Sequence, residues 1–167
     1  MSTLAYAAMT RKRDEARPGT STTTSAPGFN TYVDALAALV PAEVLTAHAA
    51  ILTFTTETVK GSAGNAIVTI TQPDTLRGVF YALIFVSMVL YATGRLIASH
   101  WDNWDWLRVV IPPLAFVGWT MLQKATAFDA LGTNFSQAGR SATAIIGAIL
   151  LGLLAAALAY KADQKTA

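Results

Sequence analysis

Three ionisable side chains stand inside one apolar stretch of the chain, YVDALAALVPAEVLTAHAAILTF, at residues 32–54. They are Asp34, Glu43 and His48. An ionisable group inside a membrane helix is costly unless it faces protein or water, so it indicates a pore, a proton path or a buried pair. Glu43 and His48 are five positions apart, or about 140° around a helix, so they do not share one face.

Pro41 divides this stretch in two. Proline is favoured at the first position of a helix and glutamate in its first turn, where it faces the positive end of the helix dipole. Pro41 and Glu43 therefore predict a helix start. We expect a short amphipathic helix at residues 31–40 near the cytoplasmic surface, with Asp34 at the interface, and a membrane helix at residues 41–57.

Arg95 is the predicted ion-pair partner of Glu43. It lies near the cytoplasmic end of the second apolar span, at the depth expected for Glu43, so the two could pair within one subunit or between two. Structural roles without a pore are also open for these residues. Glu43 could cap its helix or pair across a subunit boundary, and His48 could hydrogen-bond a neighbouring carbonyl. Glu43, His48 and Arg95 are the predicted intramembrane polar or pore residues.

The composition is that of a membrane protein. The 167 residues are 53% hydrophobic and only 13% charged, against about 25% charged in soluble domains. Open sheets cannot cross lipid, because every backbone group needs an internal partner. We therefore predict an all-α integral membrane protein with four transmembrane helices, the first one broken near Pro41. The predicted segments are a cytoplasmic arm at 1–30, a transmembrane domain at 31–161 with helices at about 41–57, 77–99, 106–124 and 141–160, and a cytoplasmic tail at 162–167.

The basic residues predict an orientation. Four crossings place both termini on one side, and that side then holds eight of the twelve Lys and Arg residues. The positive-inside rule makes it the cytoplasm, and we expect a bacterial inner (plasma) membrane. Trp101, Trp104 and Trp106 crowd the second loop and are predicted to be interfacial anchors.

Three further patterns concern packing. In the fourth span Ala144, Ala148, Gly152 and Ala156 recur every four residues, and small residues at this spacing predict a close helix contact. Pro112 and Pro113 predict a kink in the third span. The segment AIVTITQP in the first external loop, residues 57–76, is rich in β-branched residues and is compatible with a short strand.

Catalytic signals are absent from the sequence. It contains no cysteine, and no HExxH, GxSxG, P-loop or dinucleotide-binding motif. His48 and His100 lie on different segments, with no third ligand at zinc spacing. We therefore expect no catalytic residue, no metal, no cofactor and no enzymatic activity.

Two functions fit these patterns. The first is a homo-oligomeric pore or channel-like assembly lined or gated by Glu43 and His48, because four short helices enclose no path by themselves. The alternative is a non-catalytic accessory or scaffold subunit of a larger membrane complex, docked through its N-terminal arm. The expected partners are the lipid bilayer and other copies of the chain or membrane-complex subunits. Nucleic acid is not expected, because the basic residues are spread out apart from the cluster RKR at 11–13.

Overall fold

The computed structural model describes residues 29–60, 66–97, 101–133 and 135–163. This part of the chain is mostly helical. The predicted N-terminal arm lies outside the described residues except at its end, and so do the last four residues of the predicted tail. The elements are α1 Phe29–Leu39, α2 Ala42–Thr55, β1 Thr56–Lys60, β2 Ala66–Ile70, α3 Pro73–Ile97, α4 Asp105–Leu122, a 3₁₀ turn at Asp129–Leu131, and α5 Gln137–Asp163.

The first apolar stretch is broken at Pro41, as predicted. Pro41 has φ −57° and ψ 135°, an extended conformation, and a proline also disfavours the helical region for the residue before it. Helix α1 therefore ends at Leu39, and α2 begins with Glu43 in its first turn. Pro41 precedes the helix by one position instead of opening it. We call the α1–α2 pair the elbow, since its two helices are bent by 115°.

The elbow does not make a straight membrane crossing. Its helices have 11 and 14 residues, or roughly 16 and 21 Å at 1.5 Å per residue, whereas a hydrocarbon core is about 30 Å thick. Two helices, α3 and α5, are long and apolar enough to cross a membrane, and a third crossing exists if the bent pair counts as one span. The fold is therefore a helical one with two or three candidate spans.

Helix α3 begins four residues before its predicted start. Pro73 opens it, Asp74 stands in the first turn and Arg95 in the last turn. This distribution matches the preference for proline and acids at a helix start and for bases at its end. The signal for the start of α3, Pro73 followed by Asp74, involves only neighbouring residues and is therefore present in the sequence itself.

A β-hairpin joins α2 to α3. The predicted strand is present as β2, and its antiparallel partner is β1, with Val59 opposite Ile67 and Thr58 opposite Val68. Sequence analysis missed β1 because TETVK carries two charged residues. Both strands are largely exposed.

Helix α1 packs on α4 and α5. Leu36 is fully buried at this contact. A Cβ atom added to Gly118 of α4 would lie 3.2 Å from Leu36 Cδ1, so the absence of a side chain at Gly118 allows the close approach. Apolar burial against α4 and α5 therefore holds the helix before Pro41. Its expected position near the cytoplasmic surface stays a prediction.

The buried face of α5 differs from the predicted ribbon of small residues. Ala144 and Ala148 are buried, but Gly152 and Ala156 are exposed in this chain. Each step of four residues turns a helix by about 40° beyond one full turn, so a strict four-residue ribbon winds off a fixed face. The contact continues along Leu151 and Leu158 instead, which are both buried.

Helix α4 is continuous through Pro112 and Pro113. Both prolines are buried, so the neighbouring elements cover the place where the backbone lacks its N–H donors. Its first turn contains Asp105 and its interior contributes Phe116 to the core. That core also contains Leu36, Val44, Leu76, Phe80, Leu122, Phe128, Ala144 and Ala148.

Candidate functional site

The elbow carries two exposed carboxylates. Asp34 on α1 and Glu43 on α2 are both exposed. Thr31, Tyr32 and Ala35, which lie within one turn of Asp34, line a groove against α5. The residues of α5 in that groove are Ala148, Ile149, Gly152 and Leu153.

This groove fixes the depth of Asp34 relative to α5. The helix runs from Gln137 to Asp163, so residues 148–153 lie at its middle. If α5 crosses a bilayer, its middle lies near the centre of the hydrocarbon core, where an exposed carboxylate is costly. The elbow face therefore differs in polarity from the apolar outer faces of α3 and α5.

His48 lies in the protein core and does not face the elbow surface. Its imidazole is fully buried and makes edge-to-face contacts with Phe116 and Trp119, with ring centroids 5.5 Å apart in each case. The backbone N–H of Ala127 donates a long hydrogen bond of 3.4 Å to His48 Nε2. The Nδ1 atom has no hydrogen-bond partner among the described residues. Two roles were predicted for His48, a pore residue and a hydrogen-bond partner of a carbonyl. In the described part of the chain its ring is buried and its hydrogen-bond partner is the N–H of Ala127 instead of a carbonyl. A role in a path between subunits stays a prediction.

The segment after α4 makes hydrogen bonds to several helices. We call residues 123–133 the cap loop. His48 of α2 accepts from Ala127, and Arg77 of α3 donates to the carbonyl of Ala130 at 3.2 Å. Thr126 Oγ1 donates to the carbonyl of Thr120 in α4 at 2.9 Å. These bonds connect three helices to one short loop.

Arg140 of α5 supplies the fourth attachment of the cap loop. Its side chain is almost fully buried, pairs with Asp129, and lies over the ring of Phe128 at 4.8 Å from the centroid. Asp129 also accepts from the N–H of Thr126 at 2.9 Å. Within the same loop Ala125 has φ 55°, a left-handed conformation that is uncommon for a residue with a side chain. The tertiary contacts hold it there.

A second ion-pair cluster lies at the opposite ends of α4 and α5. Asp105 is fully buried and binds Arg95 at 3.0 Å and Arg108 at 2.9 Å. Arg108 also donates to the carbonyl of Leu158 at 2.8 Å. The cluster therefore ties together the end of α3, the start of α4 and the last turns of α5.

The pKa of Asp105 is lowered. Burial acts to raise this pKa, but the hydrogen bond from the backbone N–H of Asp102 and those from Arg108 and Arg95 outweigh it. Asp105 is the first residue of α4 and lies outside the two helices that are long and apolar enough to span a membrane. Its carboxylate is therefore held in the charged form by direct contacts.

Arg95 therefore has another partner than the one predicted. Among the described residues no ion pair joins it to Glu43, and its guanidinium forms a two-point contact with Asp105. Sequence analysis missed Asp105, Arg108, Asp129 and Arg140. An available signal was the pair Asp105 and Arg108, three positions apart at the start of an apolar helix, where a charge needs a partner.

The predicted aromatic anchors lie beside the Asp105 cluster. Trp101, Trp104 and Trp106 are all exposed, and the rings of Trp101 and Trp106 meet edge to face at 5.7 Å. Exposure suits side chains that sit at a membrane surface. Their role as anchors stays a prediction.

The chain matches no family model, no curated protein and no solved structure. Among the described residues no group of three or more acids and histidines is placed to hold a metal ion. The fold and the site together define a mostly helical protein with two or three helices apolar enough to span a membrane. Three groups of polar side chains among the described residues are the exposed acids of the elbow, the bonds of the cap loop and the Asp105 cluster.

Proposed function

We propose that the chain is the subunit of a homo-oligomeric pore or channel-like assembly in a membrane. The observation that supports this is the exposure of Asp34 and Glu43 on the elbow, whose helix α1 lies beside the middle of α5. Lipid does not cover an ionised carboxylate without a cost of several kcal/mol. Water in a path between subunits, or polar groups of a second copy, would remove that cost.

Oligomerisation follows from the dimensions of one chain. Helices α3 and α5 expose most of their apolar side chains, so one copy does not enclose a path of its own. Closed cyclic symmetry would bring several elbows around one axis. In this arrangement Asp34 and Glu43 face the axis, and the exposed apolar faces of α3 and α5 meet lipid.

The proposal includes a location and an orientation. The assembly lies in a bacterial inner membrane with both termini in the cytoplasm, since eight basic residues against four favour that side. Four crossings then require α2 to serve as a short first span and α4 as the third. Local thinning of the bilayer accommodates short helices at modest cost.

Ion flux through liposomes tests the pore. The purified protein is reconstituted, and cation flux is compared among wild type, Asp34→Asn, Glu43→Gln and a control, Glu57→Gln. Glu57 is an exposed carboxylate on β1, beyond the end of α2 that is opposite to Glu43. We expect wild-type flux above background and a several-fold change in the elbow variants, with flux in Glu57→Gln unchanged and thermal stability unchanged in all.

Background flux for stable wild-type protein would contradict the pore. The alternative, a non-catalytic accessory or scaffold subunit, would then explain the elbow as a docking surface for another membrane protein. Equal effects of Glu57→Gln and Glu43→Gln would show that general surface charge, and not the elbow, controls flux.

A further inference from the structure

The hydrogen bond between His48 and Ala127 requires a neutral imidazole. The N–H of Ala127 is a donor, so the Nε2 atom of His48 must offer its lone pair. Histidine changes its charge nearer neutral pH than other unperturbed side chains. Once Nε2 carries a proton it becomes a donor, and two donors then face each other inside a closed core.

The surroundings of His48 make a charge there hard to accommodate. Phe116 and Trp119 enclose the ring, and the imidazole is shut off from solvent. The Nδ1 atom has no partner in the part of the chain that the structure describes. A doubly protonated ring would therefore hold two N–H groups without acceptors, a costly state in a buried site.

We infer that His48 is an acid-sensitive latch that holds the cap loop against α2 when neutral and releases it when protonated. The loop is suited to release because Ala125 holds a left-handed conformation at φ 55°. Release would let this residue relax toward its preferred backbone region. The inference does not depend on the proposed pore, because it concerns contacts within one chain.

Other titratable groups do not replace His48 in this role. In the cap loop Asp129 is occupied by Arg140 and by the N–H of Thr126. Among the described residues, the imidazole has two aromatic ring partners, Phe116 and Trp119, and accepts a hydrogen bond from the backbone N–H of Ala127. Among the residues whose side chains the structure describes, the other charged or titratable groups of helices α2, α3, α4 and α5 and of the cap loop are Glu43 on α2, Asp74, Arg77, Tyr81, Tyr91 and Arg95 on α3, Asp105 and Arg108 on α4, Lys124 and Asp129 in the cap loop, and Arg140 on α5.

Two substitutions separate the acceptor from the charge. His48→Gln keeps an acceptor of similar reach that does not titrate, whereas His48→Leu removes the acceptor at every pH. Amide hydrogen exchange of residues 124–132 is measured from pH 7.5 to pH 4 in the solubilised full chain and corrected for intrinsic exchange. Peptides from α3 and α5 report whether the whole protein opens.

The expected results differ for each protein. In wild type, exchange of the cap loop rises about tenfold on acidification, on the scale of one lost hydrogen bond, while α3 and α5 stay protected. His48→Gln stays slow at every pH, and His48→Leu is fast at every pH. Asp129→Asn starts from faster exchange but keeps the wild-type response to acid, so it tests the latch even if a His48 variant does not fold.

Three outcomes would overturn the latch. The first is a wild-type loop whose corrected exchange does not change with pH. Next is a folded His48→Gln protein with the full wild-type response. The last is loss of that response in Asp129→Asn, which would assign the titration to the Asp129–Arg140 pair.

Discussion

At the scale of single residues, the described charged side chains fall into two groups, those paired with other residues and those exposed. Asp105, Asp129 and Arg140 are held by other described residues, whereas Asp34 and Glu43 stay exposed. Removing one member of a buried pair leaves the other charge uncompensated. Exposed acids have no such dependence, so the two groups should respond differently to substitution.

Asp105→Asn should destabilise the protein strongly. It leaves Arg95 and Arg108 without their carboxylate, and breaking a buried pair costs about 3–5 kcal/mol. Because 30% of the Arg95 side chain is exposed, we expect the lower end of this range. Thermal unfolding in detergent measures the change, and Asp34→Asn is the matched control with little expected effect. Equal stability of the two variants would contradict the structural role of the Asp105 cluster.

The same carboxyl group predicts a loss of stability in acid. The pKa of Asp105 is lower in the folded chain than its ordinary value of 3.8, so the stability that it contributes is complete above that value. It disappears as the pH falls through the lower folded pKa. Unfolding scans between pH 6 and pH 2 should show a smaller acid-induced decline for Asp105→Asn than for wild type. Identical declines would assign the acid sensitivity to other groups.

At the scale of elements, helix α1 depends on one close contact. Leu36 meets α4 at Gly118, where even a Cβ atom would come within 3.2 Å of its side chain. By contrast, a Cβ atom at Gly152 of α5 would have no atom within 4 Å. A larger side chain should therefore disturb packing within the chain at Gly118 but not at Gly152.

Gly118→Leu should detach α1, while Gly152→Leu should leave the folded chain intact. Overpacking a tight contact typically costs about 1–3 kcal/mol. Thermal stability and protease sensitivity of α1 measure the first effect, and Gly152→Leu is its control. If Gly152→Leu preserves the fold but disrupts the oligomer, the groove beside Gly152 is a contact between subunits. A stable, protease-resistant Gly118→Leu protein would refute the proposed attachment of α1.

At the scale of the whole molecule, the position of the elbow determines how many times the chain crosses the membrane. A 115° bend between α1 and α2 is compatible with two arrangements. Either α2 crosses the membrane as a short span, or the pair enters and leaves on one side. If α4 also crosses the membrane, as proposed, the first arrangement gives four crossings and the second gives three.

Cysteine labelling distinguishes these arrangements. The chain contains no cysteine, so single cysteines at positions 3 and 62 are unambiguous reporters. A crossing α2 places them on opposite sides of the membrane, as the proposed orientation requires. Labelling of both from the same side by an impermeant reagent would show that the elbow is re-entrant and that the N-terminus does not share a side with the C-terminus.

Local features of the sequence determined the helices and their breaks. Pro41 with Glu43 predicted the break at the elbow, and the β-branched segment predicted β2. Pro73, Asp74 and Arg95 also mark the ends of α3, although that start was placed too late. These signals act over a few residues, because helix termini and strands depend on neighbouring backbone groups. They are therefore readable without knowledge of the rest of the chain.

Tertiary structure decided which distant residues meet. The sequence pointed to Glu43 as the partner of Arg95, whereas the packing of α3 against α4 brings Asp105 to Arg95. The small residues from Ala144 to Ala156 predicted one buried face of α5. Because a four-residue spacing winds around the helix, the face that packs on α4 contains Leu151 and Leu158 instead. The sequence left two roles for His48, a pore residue or a hydrogen-bond partner of a neighbouring carbonyl. The rings of Phe116 and Trp119 surround His48 in the core of the folded chain. Apolar burial is non-directional, so the sequence does not specify which distant rings will contact a given side chain. That depends on how the helices pack.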